Sequence, residues 1–354
     1  MTDTMLGLPS VRRDDAAPAE GMPVSGPLVD TFGRVATDLR VSLTDRCNLR
    51  CTYCMPAEGL DWLPSDDLLT RDELTRLLAV AVGRLGITNV RFTGGEPLLY
   101  KGLEEIVAAT AALRPRPEIA LTTNGVGLAR RAEALAAAGL DRVNVSLDTV
   151  DAERFSAITR RDRLTDVLDG LAAAAAAGLR PVKVNAVLDP VSGLDDAVQL
   201  LTYCLEFGYQ LRIIEQMPLD AGHSWRRDTT LSADQIFAAL AARFDLTPDP
   251  APRGSAPAQL WQVDGGPATV GVIASVSHAF CSACDRTRLT ADGQVRSCLF
   301  ATEETDLRAL LRKGADDDAL ESAWRTAMWR KAAGHGINDP DFVQPQRPMS
   351  AIGG

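Results

Sequence analysis

Six β-branched apolar runs alternate with Ala- and Leu-rich stretches of helical spacing, and that alternation limits the fold more than any other feature of the chain. The runs lie near 39–45 (Leu39, Val41, Leu43), 89–93 (Val90, Phe92), 118–122 (Ile119, Leu121), 142–147 (Val143, Val145, Leu147), 181–188 (Val182, Val184, Val187) and 210–216 (Leu211, Ile213, Ile214). Helical spacing fills 71–85, 103–113, 127–138, 165–177 and 193–207 between them. A strand, a helical crossover and a second strand make a parallel pair. Two architectures satisfy six such repeats: a doubly wound sheet and most of a β/α barrel. No Gly-x-Gly-x-x-Gly follows any run, so the dinucleotide-binding version of the first loses ground.

The pattern changes after about 218. Ser232 with Gln235 reads as a capping box opening a helix near 232–243. Hairpins are expected to turn at Asp264-Gly265-Gly266 and at Asp292-Gly293, with helices again near 304–313 and 316–333. The expected organisation is a flexible leader over 1–36, a β/α unit over 37–220, a smaller unit over 221–340 and a tail over 341–354. At 354 residues and 46% hydrophobic, the chain can fill the cores of about two domains. A net charge of -10 argues against nucleic-acid binding. No apolar run approaches the roughly 18 residues of a membrane span, and no secretory h-region is present, so the expected location is the cytoplasm without membrane association.

Seven cysteines in such a chain point away from disulfides. Three of them, Cys47, Cys51 and Cys54, fall within eight residues directly after the first strand, where a β/α fold carries its active-site loops. Three soft thiolates suit an iron–sulfur cluster and leave one of four irons open; the alternatives are a zinc site lacking its fourth ligand and a chance cluster of core cysteines. Cys281, Cys284 and Cys298 form a second set, because a turn at Asp292-Gly293 returns Cys298 toward Cys284. Spacing leaves this set open between a second cluster and structural zinc, the latter taking His278 or Cys204 as a fourth ligand. Cys204, in a helical run, otherwise reads as a core thiol. Lys183 stands inside an apolar strand, where an unpaired ammonium is costly, in a chain with four lysines.

The C-x3-C-x2-C spacing with Tyr53 before the third cysteine, followed one strand later by Gly94-Gly95-Glu96-Pro97, resembles the radical S-adenosylmethionine (AdoMet) enzymes. Within them, the C-terminal C-x2-C-x13-C enclosing Arg286-Thr287-Arg288 resembles the GTP 3′,8-cyclases of molybdenum cofactor biosynthesis. Thr122-Thr123-Asn124-Gly125, Ser146-Leu147-Asp148 and the terminal Pro348-Met349-Ser350-Ala351-Ile352-Gly353-Gly354 agree in order. Tyr100 departs from the pattern, which often has a basic residue there.

The resemblance implies an α/β fold: an incomplete (β/α)6 TIM-type barrel with a smaller α+β C-terminal domain. It implies two [4Fe–4S] clusters, on Cys47, Cys51, Cys54 and on Cys281, Cys284, Cys298. AdoMet contacts fall on Tyr53, Gly95, Ser146 and Met217. GTP contacts fall on Arg40, Arg91, Thr122, Lys183, Arg286, Thr287 and Arg288. Catalytic roles fall on Arg286, Arg288 and the tail glycines Gly353 and Gly354, which enter the active site. The implied reaction begins with a 5′-deoxyadenosyl radical removing the ribose C3′ hydrogen of GTP and ends at 3′,8-cyclo-7,8-dihydro-GTP. The implied partners are a low-potential donor of flavodoxin or ferredoxin type, cyclic pyranopterin monophosphate synthase as the next enzyme, and a second copy in a homodimer. The competing readings are a radical AdoMet enzyme acting on a peptide, with an auxiliary cluster, and a non-catalytic zinc-stabilised binding protein.

Overall fold

The computed structural model describes residues 21–353. Each of the six runs forms a strand: β1 (Asp38–Ser42), β2 (Asn89–Thr93), β3 (Glu118–Thr123), β4 (Arg142–Ser146), β5 (Val182–Val187) and β6 (Gln210–Ile214). Six more follow: β7 (Leu246–Pro248), β8 (Gln259–Val263), β9 (Thr269–Ile273), β10 (Arg286–Leu289), β11 (Gln294–Arg296) and β12 (Thr305–Asp306). All belong to one sheet, in the order β12-β11-β10-β1-β2-β3-β4-β5-β6-β9-β8-β7. From β10 through β1–β6 to β9 every pairing is parallel. The outermost strands β12 and β7 do not pair with each other, so the barrel is incomplete.

Helices Arg71–Gly83, Leu103–Ala111, Leu164–Ala176 and Gly193–Phe207 supply crossovers. Their apolar stripes, such as Leu74, Leu77, Leu78 and Ala81, share a core with the outward residues of the strands. Alternation along β5 shows the division: Val182, Val184 and Ala186 are buried, while Lys183, Asn185 and Val187 face the lumen. The capping box at Ser232 and Gln235 opens helix Ala233–Ala241, with both reciprocal bonds present. The stretch read as one helix over 127–138 is instead a short 3-10 turn, Leu128–Arg130, and a helix, Ala132–Ala137. An unexpected helix, Ala152–Thr159, is opened by the Asp151 side chain, which accepts from the Arg154 amide at 2.9 Å. At eight residues it is too short for helical periodicity to reveal.

Both expected hairpins form, but their strands also extend the first sheet. The β8–β9 hairpin joins β6 through β9, and the β10–β11 hairpin joins β1 through β10. The buried Glu215, just past β6, ties the two parts further. Its carboxylate accepts from the amides of Ala233 (2.6 Å), Val276 (2.7 Å) and Ser277 (2.8 Å).

Within the flexible leader expected over 1–36, the described part is pinned at separate points, with Met22, Leu28, Asp30 and Ala36 buried between exposed residues. Asp30 folds its own turn by accepting from the Phe32 and Arg34 amides. Isolated apolar residues that each fill one gap leave no periodicity to read. Residues 1–20 lie outside the described part. Among the described residues no helix is long and apolar enough to cross a membrane.

Candidate functional site

A closed β/α barrel fills its lumen with Val, Ile and Leu. The inward positions here are mostly polar, and they surround a cavity of about 440 Å3. Six cations line it: Arg40, Arg91, Lys183, Arg212, Arg286 and Arg288. Register makes several of them neighbours, because Arg40 lies opposite both Arg288 and Arg91. Thr122, Asn144 and Lys183 likewise follow one another across β3, β4 and β5. Gly271 leaves room for Arg212, since a Cβ there would stand 2.6 Å from Arg212 Cδ.

These cations have little counter-charge. Asp38 lies 3.4 Å from Arg40 and 3.9 Å from Arg91. Lys183 has no hydrogen-bond or ion-pair partner among the described residues, and the buried Arg91 Nε is unpartnered. Burial and neighbouring arginines push Lys183 down to about 7, and burial with Arg40 pushes Arg91 and Arg288 down to about 9. The two lining carboxylates are already engaged. Asp148 accepts from Tyr53 Oη at 2.8 Å and the Val187 amide at 2.9 Å, and Glu215 forms the knot described above. The lumen is therefore a dehydrated cationic site that an anion would relieve.

At one margin of this cavity the loop after β1 carries Cys47, Cys51 and Cys54, all free, with Cys54 lining the cavity. The loop is braced by Arg50 N bonding to Thr159 O and Thr52 N to Ile158 O, each at 3.0 Å. Asn124, just after β3, donates to Asn48 Oδ1 at 2.7 Å and faces Cys47 Sγ at 3.7 Å. Glu96 holds that corner, accepting from Thr123 Oγ1 (2.6 Å) and the Asn124 amide (2.7 Å). Burial pushes Cys47 and Cys51 up and Cys54 to about 12, which favours the protonated thiols, and a bound metal would favour their thiolates. Tyr53, Ser146 and Met217 line the cavity.

Gly95 is not among the residues lining it, and its packing supplies a local reason for glycine. A Cβ at Gly95 would stand 2.3 Å from Arg46 O and 2.4 Å from Asp45 O, and one at Gly94 (φ +149°) 2.5 Å from Thr44 O. Both glycines let the loop after β2 press directly on the cysteine loop, joined by Gly95 N to Thr44 O at 2.6 Å and Glu96 N to Arg46 O at 2.7 Å.

Cys281, Cys284 and Cys298 line the same cavity. The β10–β11 hairpin, pairing Arg288 with Arg296, brings Cys298 back as its turn required. The Phe300 amide donates to Cys298 Sγ at 3.5 Å, and Lys331 Nζ to Cys284 Sγ at 3.3 Å. Burial raises the Cys284 thiol, but Arg286 and Lys331 outweigh it and the group falls to about 7. Neither expected fourth zinc ligand joins this set. Cys204 is buried among core residues, and His278 is exposed and pairs with Asp234 at 3.2 Å. His335 lines the cavity but accepts from the Ile337 amide through Nδ1 (3.1 Å) and faces Ser275 O through Nε2 (3.0 Å), so both ring nitrogens are occupied. Among the described residues no three His, Cys, Asp or Glu side chains close to the spacing of a single metal ion. Three thiols with an N–H donor near sulfur fit a [4Fe–4S] cluster with one open iron at the N-terminal set, and the C-terminal set presents the same kinds of group.

The tail reaches the lumen. Met349–Ile352 is a short helix with Ile352 fully buried, and Arg288 donates to the Gly353 carbonyl. Gly353 has φ +84°, and a Cβ would meet Thr93 Cγ2 at 2.7 Å. Arg347 anchors the approach through Asp292 (3.0 and 2.7 Å) and Glu304 (2.8 Å). Gly354 lies outside the described residues.

Thr287 is a correction. Strand alternation turns it away from Arg286 and Arg288, and it is buried against helix Asp317–Trp329, accepting from Trp324 Nε1 at 3.0 Å. Its side chain does not reach the cavity. Arg212 was missed although it carries the same signal as Lys183, a cation between Leu211 and Ile213 in an apolar strand. Asn144 and Asp148 sit in legible strand ends, but nothing in their residue type singled them out.

Residues 41–204 match the Radical SAM superfamily and 209–337 match Molybdenum Cofactor Synthesis C. A GTP 3′,8-cyclase of Mycobacterium sp. is 76% identical over 354 residues, with both chains covered completely. A GTP 3′,8-cyclase of Mycolicibacterium smegmatis is 74% identical and GTP 3′,8-cyclase 2 of Mycobacterium tuberculosis 73%, again over both whole chains. Streptococcus suis SuiB bound to S-adenosylmethionine shares the fold, with a TM-score of 0.54 at 14% identity over 89% of this chain and 75% of that one. By full-length identity and by both matched regions, this chain belongs to the GTP 3′,8-cyclase family of radical AdoMet enzymes.

Proposed function

We propose that the chain converts GTP to 3′,8-cyclo-7,8-dihydro-GTP, the first step of molybdenum cofactor biosynthesis, using two [4Fe–4S] clusters and AdoMet. The observation that carries this reading is that Cys54, all three C-terminal cysteines and six cations line one cavity. Once bound and reduced, the N-terminal cluster with AdoMet would supply a 5′-deoxyadenosyl radical to remove the ribose C3′ hydrogen; C3′ would then bond to guanine C8, and one electron from the low-potential donor with one proton would complete the dihydro product.

The chain's own residues bind, orient and exclude water. Arg40, Arg91, Lys183 and Arg212 take the triphosphate, whose charges offset four crowded cations. Cys281, Cys284 and Cys298 would hold the second cluster, which would supply a base-binding group at that end, so GTP would span the lumen between the two triads. Tyr53, Ser146 and Met217 would hold AdoMet on the opposite side, beside the N-terminal triad. Gly95 acts by packing the cysteine loop. Arg286 and Arg288 sit beside the second triad, and Arg288 fixes the tail through Gly353. The tail then covers the lumen and shields a carbon radical from solvent. A peptide substrate would leave the lining cations uncompensated, and zinc lacks its fourth ligand. The low-potential donor, hand-off to the next enzyme, the homodimer and the cytoplasmic setting remain part of the same proposal.

The test is Cys281→Ala, assayed without oxygen. AdoMet cleavage should persist while cyclised product falls at least a hundredfold. Unchanged product formation would remove the second triad from the mechanism.

A further inference from the structure

Lys331 is 3% exposed, and among the described residues no carboxylate pairs with it. Its ammonium donates to Arg286 O at 2.8 Å, Cys284 O at 3.3 Å and Cys284 Sγ at 3.3 Å. A buried ammonium bonded only to carbonyls and a thiol is costly unless that sulfur carries negative charge.

Its position is fixed from outside. Arg34 donates to Ala332 O (2.6 Å), Ala333 O (2.8 Å) and Cys281 O (2.8 Å). Arg34 is itself held by Asp30 at 2.5 Å, with both side chains almost wholly enclosed. The strap carrying Lys331 and the loop carrying Cys281 are thus clamped together by the segment before β1.

We propose that Lys331 is a positioning residue for the second iron–sulfur cluster, supplying an N–H···S bond and a positive charge that favour its reduced state. This rests on the proposed second cluster. Three thiolates on a [4Fe–4S] core in its resting state leave a net negative charge, which reduction increases. Potentials of such clusters follow net charge and hydrogen bonds to sulfur. A fixed ammonium at Cys284 therefore raises the potential of that cluster alone. Asn124 offers only a neutral amide near Cys47, at 3.7 Å.

The experiment is an anaerobic redox titration of the reconstituted full-length protein, followed by electron paramagnetic resonance, for wild type, Lys331→Met and Lys331→Arg. AdoMet perturbs the N-terminal cluster signal, so the AdoMet-insensitive signal reports the second. Iron analysis comes first: about eight irons per wild-type chain support two four-iron clusters, and about four would overturn the two-cluster reading together with this proposal. With eight irons present, Lys331→Met should lower the reduced-to-oxidised ratio of the second cluster tenfold at fixed potential, about 59 mV for one electron. The first cluster should not move, and Lys331→Arg should restore most of the shift. Equal shifts in both clusters, or none in the second, would overturn the proposal. If Lys331→Met fails to hold the second cluster, retention by Lys331→Arg supports a role for the charge. Loss in both variants would reduce Lys331 to packing and overturn it.

Discussion

Lys183 offers a quantitative test of the cationic lumen, because its ammonium titrates where nucleotide affinity can be measured. Burial and the nearby Arg142, Arg212 and Arg91 hold it at about 7 in the free protein. Bound phosphate favours the charged form and raises that value. Below pH 7 the group is protonated in both states, and affinity gains nothing from its titration. Above pH 7 the free lysine is neutral and must take up a proton on binding, so affinity falls as pH rises. A free group at about 7 that stays charged when bound weakens GTP binding about eightfold between pH 7.5 and 8.5, by the ordinary linkage relation. That window lies above the roughly pH 6 ionisation of a terminal phosphate, so the nucleotide charge is constant across it. It also lies below the values near 9 of Arg91 and Arg288. Calorimetry on cluster-loaded protein in two buffers of different ionisation heat should show about one proton taken up at pH 8.5. Lys183→Arg should cut the slope to less than twofold, the remainder left by Arg91 and Arg288, and remove most of the uptake. Lys183→Met should cut the slope likewise and weaken binding roughly tenfold to a hundredfold, as for a charged hydrogen bond of about 1.5–3 kcal/mol. A wild-type affinity flat across the window, or an unchanged slope in Lys183→Arg, would refute the reasoning.

Thr287→Val should leave Trp324 Nε1 buried without an acceptor, lowering stability by about 1–3 kcal/mol in a urea melt while GTP affinity stays within twofold of wild type. A large loss of affinity with little loss of stability would restore Thr287 as a substrate contact. Arg347→Ala should free the tail from Asp292 and Glu304 and raise the amount of 5′-deoxyadenosine formed per cyclised product several-fold, measured by chromatography. Unchanged coupling would mean that the tail is held by Arg288 and Ile352 alone.

The strands of the barrel were legible because each needs one apolar face, and that face recurs every second residue. What fills the alternate positions was only partly legible. Lys183 stood out as a charge in an apolar run, and Arg212 carried the same mark between Leu211 and Ile213. Asn144 and Asp148 did not, since small polar residues at strand ends are common in any β/α fold. The cysteine sets were visible from spacing, and the Asp292-Gly293 turn correctly returned Cys298. Pairing of β10 with β1 was hidden, because it joins residues about 250 apart through hydrogen bonds that leave no local pattern. Thr287 misled because a three-residue motif on a strand puts its middle side chain on the other face. Gly95 stood out as part of Gly94-Gly95-Glu96-Pro97, while its tight contact with Arg46 O is a property of two loops meeting and left no local pattern.

The most direct measurement follows deuterium. Reconstituted, reduced protein is mixed with AdoMet and GTP carrying deuterium at ribose C3′, without oxygen. Abstraction from C3′ should give 5′-deoxyadenosine containing that deuterium together with a cyclised GTP product in comparable amount. Undeuterated 5′-deoxyadenosine, or abundant 5′-deoxyadenosine with no cyclised GTP product, would contradict it.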